Sequence, residues 1–343
     1  MPIITHKRAF LARRLGELGL IRLIERFARK SGILVLTYHR ILERSAAPYY
    51  EGVASATPEG LRAELESLAR THRLLTLEEV AGLAEDGFRV DRPSALVTFD
   101  DGYLDNFELA LPILRSLGIP ATFFLPAGFL ESPRLFWWDH IAYVIARTRV
   151  PVLRLDWPES VEIDLLRSTR PEAIARLVQV YLDRHNLDES RFREGLEKGA
   201  EVDVDENRQG RELTMSWDQA RILSRSGMSI GSHTVTHREL GALSEEVQRV
   251  ELAESRRILE SRLDGEVRAL AYPYGWPGSL DDRTPSLARE SGYRLAFNTL
   301  VGVNRPGSTD PFAIRRIGVG FADPPILHRA RWALHEAFDR SPL

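Results

Sequence analysis

The chain alternates short apolar runs with longer segments of helical period. The apolar runs are continuous, which is typical of strands buried on both faces of a parallel sheet. Each run ends at turn residues or at polar side chains. The strands predicted in this way are residues 33–37, 95–99, 121–125, 228–232, 268–271, 294–297 and 312–314.

Helical patterns fill the gaps between these strands. The most regular ones cover residues 58–72, 106–118, 216–227 and 243–263. In the last of them Ser244 suits the N-cap, Glu245 and Glu246 suit the first turn, and Gly265 follows the end. Strands that alternate with helices predict βαβ units around a parallel sheet. About seven strands predict a distorted, incompletely closed (β/α) barrel.

Residues from about 131 to 212 break this rhythm. They contain an amphipathic helical stretch, LFWWDHIAYVIARTR, and then two alternating runs, VLRLDW and VEIDL, that predict a hairpin. Two more helical patterns follow. We interpret the segment as a mainly helical insertion in a barrel of residues 31–325, packed beside the barrel mouth and shaping a substrate groove.

Both ends of the chain predict helices outside the barrel. Residues 1–30 are basic and amphipathic, and Arg13, Arg14 and Glu17 interrupt the apolar core that a signal peptide needs. This helix either packs on the barrel or lies on a membrane surface. Residues 326–343 predict a C-terminal helix. With no stretch near the about 20 apolar residues of a transmembrane span, we expect a cytoplasmic protein, with peripheral membrane contact as the alternative.

The composition limits the possible protein class, partners and metal ligands. Hydrophobic residues make up 43% and charged residues 28% of the 343 residues, which indicates a globular protein. A net charge of −3 indicates no nucleic-acid partner, and we expect a monomer. The absence of cysteine excludes disulfides, thiolate metal sites and cysteine nucleophiles. Any metal must therefore bind to histidine, carboxylate or backbone oxygen.

A pair of acids follows one predicted strand directly. Asp100 and Asp101 come after the run 95–99 and before a glycine. Neighbouring carboxylates repel each other, so each must be solvated, paired or bound to a metal. Because Asp-Gly is a common turn dipeptide, a plain turn is the alternative interpretation.

A pair of histidines follows another predicted strand. His233 and His237 are four residues apart, a spacing that directs both imidazoles to one side of a helical turn. A surface or capping role is the alternative. Since a (β/α) barrel gathers its chemistry at the carboxyl ends of its strands, the acids and the histidines should meet there. Two imidazoles and a carboxylate form the ligand set of many catalytic Zn²⁺ sites.

Three motifs in fixed order carry a family resemblance. TFDDG at 98–102, HTVTH at 233–237 and AYPYG at 271–275 resemble the polysaccharide deacetylase family, which has NodB homology and is also called carbohydrate esterase family 4. The resemblance extends from about residue 33 to about residue 320, apart from much of the insertion. It implies a distorted (β/α)₇ barrel and removal of acetyl groups from N-acetylated amino sugars of a polysaccharide or its precursor.

The resemblance also implies roles for single residues. Asp101, His233 and His237 would bind a divalent metal, with Zn²⁺ as the first choice. Asp100 would be the general base. The backbone N–H of Tyr274 would bind the oxyanion that develops during acetyl transfer.

The sequence departs from the family pattern in two places. Ala271 stands where the third motif usually has an arginine that orients the base. Arg315 or Arg316 could replace it, although surface ion pairs are an equal alternative. The family's last motif, a leucine followed by a histidine, is matched only by PPILH ending at His328, which lies in the predicted C-terminal helix. His39, after the first strand, is the better candidate near the substrate, with a structural hydrogen bond as its alternative.

Candidate substrate contacts come from the ends of several strands. Aromatic side chains could stack on sugar rings, although packing in the core is their more common role. The candidates are His39, Tyr103, Pro273 and Arg315, with Trp137, Trp138 and Trp276 as further aromatic groups. Two other functions remain open. One is a catalytically silent carbohydrate-binding or scaffold protein, and the other is a hydrolase of another non-peptide amide, since a fold does not determine a substrate.

Overall fold

The computed structural model describes residues 32–43, 49–184 and 187–321, together with Trp332. The predicted N-terminal helix, His328 and most of the predicted C-terminal helix lie outside these residues. The described residues form two compact units. The first contains residues 32–43, 54–131 and 215–321, and the second contains residues 49–53 and 132–214. The bounds given above for the terminal helices and the insertion stay predictions.

The first unit is built on one parallel sheet of eight strands. These pair in the order β11-β10-β9-β6-β5-β1-β12, while β4 pairs with the start of β5. Two further strands, β2 and β3, form a separate parallel pair. The strands of both units are β1 (Ile33–Tyr38), β2 (Arg40–Ile41), β3 (Ala54–Ala56), β4 (Arg73–Leu74), β5 (Ser94–Phe99), β6 (Thr122–Leu125), β7 (Val152–Leu155), β8 (Val161–Asp164), β9 (Ser229–Ser232), β10 (Ala269–Ala271), β11 (Leu295–Phe297) and β12 (Ile317–Gly318).

Helices follow most strands of the sheet. A π-helix, Asn106–Ala110, leads directly into one of them. Within the described residues no helix is both long and apolar enough to cross a membrane. The α-helices are α1 (Pro58–Ala69), α2 (Leu77–Glu85), α3 (Leu111–Leu117), α4 (Ala127–Glu131), α5 (Trp137–Arg147), α6 (Arg170–Leu182), α7 (Glu189–Ala200), α8 (Glu206–Leu213), α9 (Trp217–Arg225), α10 (Glu245–Leu263) and α11 (Thr284–Glu290).

The parallel sheet confirms the predicted distorted (β/α) barrel. A parallel bridge from Phe297 to Ile314 joins the end of β11 to the segment before β12, so the sheet curls towards closure. The prediction of a strand at 312–314 is wrong, because β12 begins only at Ile317. The side chain of Asp310 accepts the N–H of Phe312 at 2.9 Å, which forms a turn where the strand was expected.

Strand β1 shows why the apolar runs are continuous. Leu34 and Leu36 pack in a cluster with side chains of the surrounding helices. Ile33 and Val35 pack in a second cluster that includes side chains of other strands of the barrel. All four are almost fully buried. Because both faces of the strand are covered, no polar alternation appears in the sequence.

Both ends of helix α10 agree with its sequence signals, although Asp264 is the left-handed residue that follows its last turn. The Ser244 hydroxyl accepts the N–H of Val247, as an N-cap does. Asp264, with φ of 51°, adopts the left-handed conformation after the last turn. Aspartate tolerates this conformation better than most residues, so Asp264 can cap the helix after Leu263, two residues before Gly265.

The second unit has an aromatic core beside a hairpin. Strands β7 and β8 pair in antiparallel fashion, which confirms the predicted hairpin. Trp137 stacks on Tyr181 with ring centres 3.9 Å apart, and Trp138 stacks on Phe136 at 4.8 Å. Both tryptophans are 6% exposed, so packing rather than sugar stacking accounts for them in this structure.

A buried histidine ties the helices of the second unit together. His140 Nδ1 lies 2.7 Å from Glu206 Oε1, and His140 Nε2 lies 3.3 Å from Glu197 Oε1. Arg193 Nη1 also contacts Glu206, at 2.5 Å. Burial raises the pKa of Glu206, but hydrogen bonding to His140 and the charge of Arg193 outweigh it and lower the pKa to about 2. The folded unit therefore favours the ionised carboxylate.

This network predicts acid sensitivity. The folded-state pKa of Glu206 lies below its ordinary value of 4.5, so its contribution to stability is complete above that pH. The contribution should disappear as the pH falls towards about 2. We expect Glu206→Gln to reduce the loss of stability across this range, as measured by urea unfolding at several pH values. The exposed Glu194→Gln serves as the control. Identical pH dependence in both variants would contradict the assignment.

Candidate active site

Three predicted ligands converge at the carboxyl end of the sheet. Asp101 Oδ1 lies 3.3 Å from His233 Nε2 and 3.2 Å from His237 Nε2. Their ligand atoms all lie within 4.8 Å of one another. All three side chains are buried. The acids that follow β5 and the histidines that follow β9 therefore meet in one cluster.

The cluster has the donor chemistry of a metal site. His233 Nδ1 lies 2.7 Å from the carbonyl oxygen of Ala271. Because a carbonyl only accepts, Nδ1 carries a hydrogen, and Nε2, which faces Asp101, is the nitrogen left to bind a metal. Within the described residues, Asp101 Oδ1 is buried and receives no hydrogen bond. A divalent cation would satisfy this oxygen and both imidazoles, so the residues fit one.

The ionisable groups of the cluster change one another's pKa values. Burial raises the pKa of Asp101, but its close contacts with His233 and His237 outweigh burial and hold that pKa well below its usual range. Burial lowers the pKa of His237, because it favours the neutral imidazole over the charged one. For His233 the interaction with Asp101 exceeds the effect of burial and raises the pKa. The carboxylate thus stays ionised, as a metal ligand must be.

The two histidines converge on a loop rather than on a helical turn, so that part of the prediction is wrong. Thr234 and His237 have φ of 65° and 57°, in the left-handed region. The Thr234 hydroxyl accepts the N–H of His237 at 3.1 Å, and the Ser232 hydroxyl accepts the N–H of Thr234 at 3.1 Å. Side-chain acceptors therefore hold the loop in the conformation that brings the imidazoles together.

Asp100 has a different partner from its neighbour. Arg316 Nη1 lies 2.9 Å from Oδ1 and 2.8 Å from Oδ2 of Asp100, and both residues are 1% exposed. Arg316 Nε donates to the carbonyl of Asn298 at 2.8 Å. Of the two arginines considered for the position left by Ala271, Arg316 contacts the acid. Arg315 instead donates to the carbonyl of Val301 at 3.3 Å.

His39 directly follows Tyr38, whose carbonyl accepts the N–H of Asp100 at 2.9 Å. The N–H of His39 donates to the Ser55 hydroxyl at 2.9 Å, and its carbonyl accepts from Asn106 Nδ2 at 2.6 Å. Asp105 accepts from Arg40 Nε at 2.9 Å, which ties the same loop to the segment after β5. Sequence reasoning missed this support, although Asp105 and Asn106 directly follow the acid motif.

The segment after β10 places the remaining candidates. Pro273 is buried, and Tyr274 has φ of 63°. The ring of Tyr274 lies 5.4 Å from that of His237 and 4.9 Å from that of Trp276, which is 42% exposed. Tyr103 is fully buried with the Arg40 guanidinium 5.0 Å from its ring centre, an arrangement that does not favour sugar stacking. The substrate contacts of these residues stay predictions.

A comparison with protein families identifies one match. The profile of the polysaccharide deacetylases matches residues 89–296, which is more than half of the chain. A curated relative, YxkH of Bacillus subtilis (strain 168), has a name that assigns it provisionally to the polysaccharide deacetylases. It is 21% identical over 231 residues, which are 67% of this chain and 53% of YxkH. The chain thus spans about half the length of this relative.

Solved structures with a similar fold include those of PplD and IcaB. The deacetylase PplD of Streptococcus pyogenes, determined in complex with acetate, has a TM-score of 0.54 at 18% identity. The match covers 85% of this chain and 93% of PplD. IcaB of Ammonifex degensii has a TM-score of 0.54 at 21% identity, covering 89% and 98% of the two chains. At these identities the comparisons show a shared fold.

The two neighbouring arginines should differ in their effect on stability. Arg316→Met leaves the buried Asp100 carboxylate without its partner, and we expect it to lower the free energy of unfolding by about 3–5 kcal/mol. Arg315→Met, the matched control, should change it by no more than about 0.5 kcal/mol. Urea unfolding measures both. Similar losses in the two variants would contradict the assignment of Arg316 to Asp100.

Proposed function

The chain belongs to the polysaccharide deacetylase family, and we propose that it is a metal-dependent hydrolase that removes acetyl groups from N-acetylated amino sugars of a polysaccharide or its precursor. The observation that carries this proposal is the convergence of Asp101, His233 and His237 beside the separately paired Asp100. A site that only binds carbohydrate has no need of a second carboxylate held next to three candidate metal ligands.

The proposed ligands of the metal are Asp101, His233 and His237. When bound, a divalent cation such as Zn²⁺ would polarise the acetyl carbonyl and lower the pKa of water in the site. The protein contributes one anionic and two imidazole ligands, which are the types that Zn²⁺ prefers. The hydrogen bond from His233 to the Ala271 carbonyl supports this assignment, because it fixes the tautomer and orientation of one ligand.

Asp100 is the proposed general base. Arg316 contacts both of its oxygens, so the carboxylate is held in one orientation. In this role Asp100 takes a proton from the attacking water and can later return one to the departing amine. The guanidinium positions the base and is not itself part of the proton transfer.

The backbone N–H of Tyr274 is the proposed oxyanion donor. The loop around it is rigid, because Thr299 donates its hydroxyl to the Tyr274 carbonyl at 2.6 Å. Gly275, with φ of 64°, packs so closely that a Cβ there would lie 2.9 Å from the Thr299 nitrogen. A donor held in this way needs no reorganisation as negative charge develops on the acetyl oxygen.

Substrate contacts complete the proposal. His39 follows Tyr38, whose carbonyl accepts the N–H of Asp100, and hydrogen bonds to Ser55 and Asn106 fix the His39 backbone. Its imidazole is therefore proposed to contact the sugar near the acetyl group. Pro273, Arg315 and, less directly because of its burial, Tyr103 are the other proposed contacts. An acetylated amino sugar offers hydroxyl and amide groups that such side chains can bind.

Substitutions of the two neighbouring aspartates should have different effects. Asp100→Asn removes the base but no metal ligand, so metal content should persist while turnover falls by roughly 10²–10⁴. Asp101→Asn removes the only anionic member of the described cluster, so metal content itself should fall. Metal analysis and acetate release from an acetylated glucosamine oligomer measure the two effects.

Unfolding curves for both variants provide the control, because Asp100→Asn also weakens the contact with Arg316. Metal content and acetate release should be measured at a temperature below the unfolding transition of each variant. Equal metal loss in both variants would reject the division of roles. A wild-type protein that binds metal but releases acetate from no acetylated sugar would favour a silent carbohydrate-binding protein or a hydrolase of another amide.

Metal removal should abolish the reaction reversibly. We expect dialysis against a chelator to stop acetate release and added Zn²⁺ to restore it, because Asp100 alone does not supply the electrophile. Thermal unfolding of the metal-free protein checks that the fold survives the treatment. Undiminished acetate release by protein shown to be metal-free would contradict the proposed mechanism.

A further inference from the structure

A buried carboxylate on helix α10 faces the loop that carries both histidines. Glu251 is 5% exposed. One oxygen, Oε2, accepts the N–H of Val235 at 2.8 Å and that of Thr236 at 2.9 Å. The other oxygen accepts the Thr236 hydroxyl. Glu251 thus binds the middle of the segment that separates His233 from His237.

The opposite side of this loop is also fixed. The N–H of Ala127 donates to the Thr234 carbonyl at 2.9 Å, and that of Gly128 donates to the Val235 carbonyl at 3.0 Å. A Cβ at Gly128 would lie 2.5 Å from the Val235 oxygen, so the approach of helix α4 is close. The loop is therefore held between backbone donors of α4 and the carboxylate of α10.

A second residue of α10 supports the start of the loop. Ser255, one helical turn after Glu251, accepts a hydrogen bond from the Ser232 hydroxyl at 2.9 Å. Ser232 in turn accepts the N–H of Thr234 at 3.1 Å. Helix α10 thus contacts the loop at two points, and Glu251 provides the charged one.

The conformation of the loop explains why a carboxylate is suitable. Left-handed residues on either side turn the consecutive N–H groups of Val235 and Thr236 in one direction, which makes a concave site for an anion. In this protein the anion is a side chain of the same chain. Its charge also lies next to the ligand loop, where it adds negative potential that favours a bound cation.

We propose that Glu251 is a positioning residue that sets the affinity of the Asp101, His233 and His237 cluster for its cation. It acts by fixing the backbone between the two imidazoles and touches neither the metal nor the substrate. The proposal rests on the metal site of the proposed function and adds a residue 14 positions beyond the second histidine.

The decisive variant is Glu251→Gln. The amide keeps the size of the side chain but can direct an NH₂ group against the N–H and hydroxyl donors of the loop. We expect Zn²⁺ affinity to fall by roughly 10- to 100-fold, the usual effect of losing a partner that orients a ligand. Competition with a chromophoric chelator measures this affinity directly. At saturating Zn²⁺, acetate release should return close to the wild-type value.

Two further variants make the test specific. Glu254 lies on the same helix, and its carboxylate pairs with Arg257 on the surface. The control variant Glu254→Gln should therefore leave Zn²⁺ affinity unchanged. Thr236→Val removes only the hydroxyl contact with Glu251. It should weaken Zn²⁺ binding by roughly 2- to 10-fold, which corresponds to the net contribution of a typical hydrogen bond. This variant tests the proposal even if Glu251→Gln does not fold.

The outcomes separate this proposal from the proposed function. Unchanged Zn²⁺ affinity in folded Glu251→Gln, or in Thr236→Val if the first variant does not fold, overturns it, even where thermal stability falls. A wild-type protein that binds no Zn²⁺ overturns it as well. Weaker Zn²⁺ binding in the variants supports it whether or not the wild type releases acetate, because the metal titration does not depend on the substrate.

Discussion

The repulsion between two adjacent buried carboxylates is the constraint on which the site depends. Asp100 and Asp101 are each 1% exposed, so water cannot stabilise their charges. The structure gives each acid a different partner. Asp100 contacts the Arg316 guanidinium, and Asp101 faces two imidazoles that can share a cation with it. Without both partners, one acid would have to become protonated or the strand end would have to open to water.

Unusual backbone conformations make this separation geometrically feasible. A residue with positive φ turns the chain sharply, and for side chains other than glycine it is adopted only where surrounding contacts enforce it. In this protein such residues occur at the three segments that form the site, which end β5, β9 and β10. They are Asp101 and Gly102, Thr234 and His237, and Tyr274 and Gly275. Hydroxyl and carbonyl acceptors nearby hold the last two segments. Positive φ thus occurs at four residues of the proposed site, Asp101, Thr234, His237 and Tyr274, as well as at positions elsewhere such as Asp264.

Local sequence patterns were sufficient to predict the positions of the main strands and the meeting of the acids with the histidines. Continuous apolar runs identify buried strands, and the residues after them lie at one end of a parallel sheet. Features that depend on packing were beyond these patterns. The helical turn expected for HTVTH is a loop, because its conformation depends on Glu251 of a separate helix. The choice between Arg315 and Arg316 depends on which side each residue faces, and the strand that decides this begins later than predicted.

The position of β5 in the sheet explains how one acid pair reaches partners from distant parts of the chain. β9 lies two strands away on one side and β12 two strands away on the other, which corresponds to about 10 Å in each direction. The curl of the sheet brings both flanks towards the carboxyl end of β5, so histidines arrive from one side and Arg316 from the other. Arg316 therefore supplies the charge that Ala271 cannot. Ala271 contributes its backbone carbonyl, which orients His233. An arginine side chain at position 271 is unnecessary in this arrangement, because the base already has its guanidinium from the opposite flank.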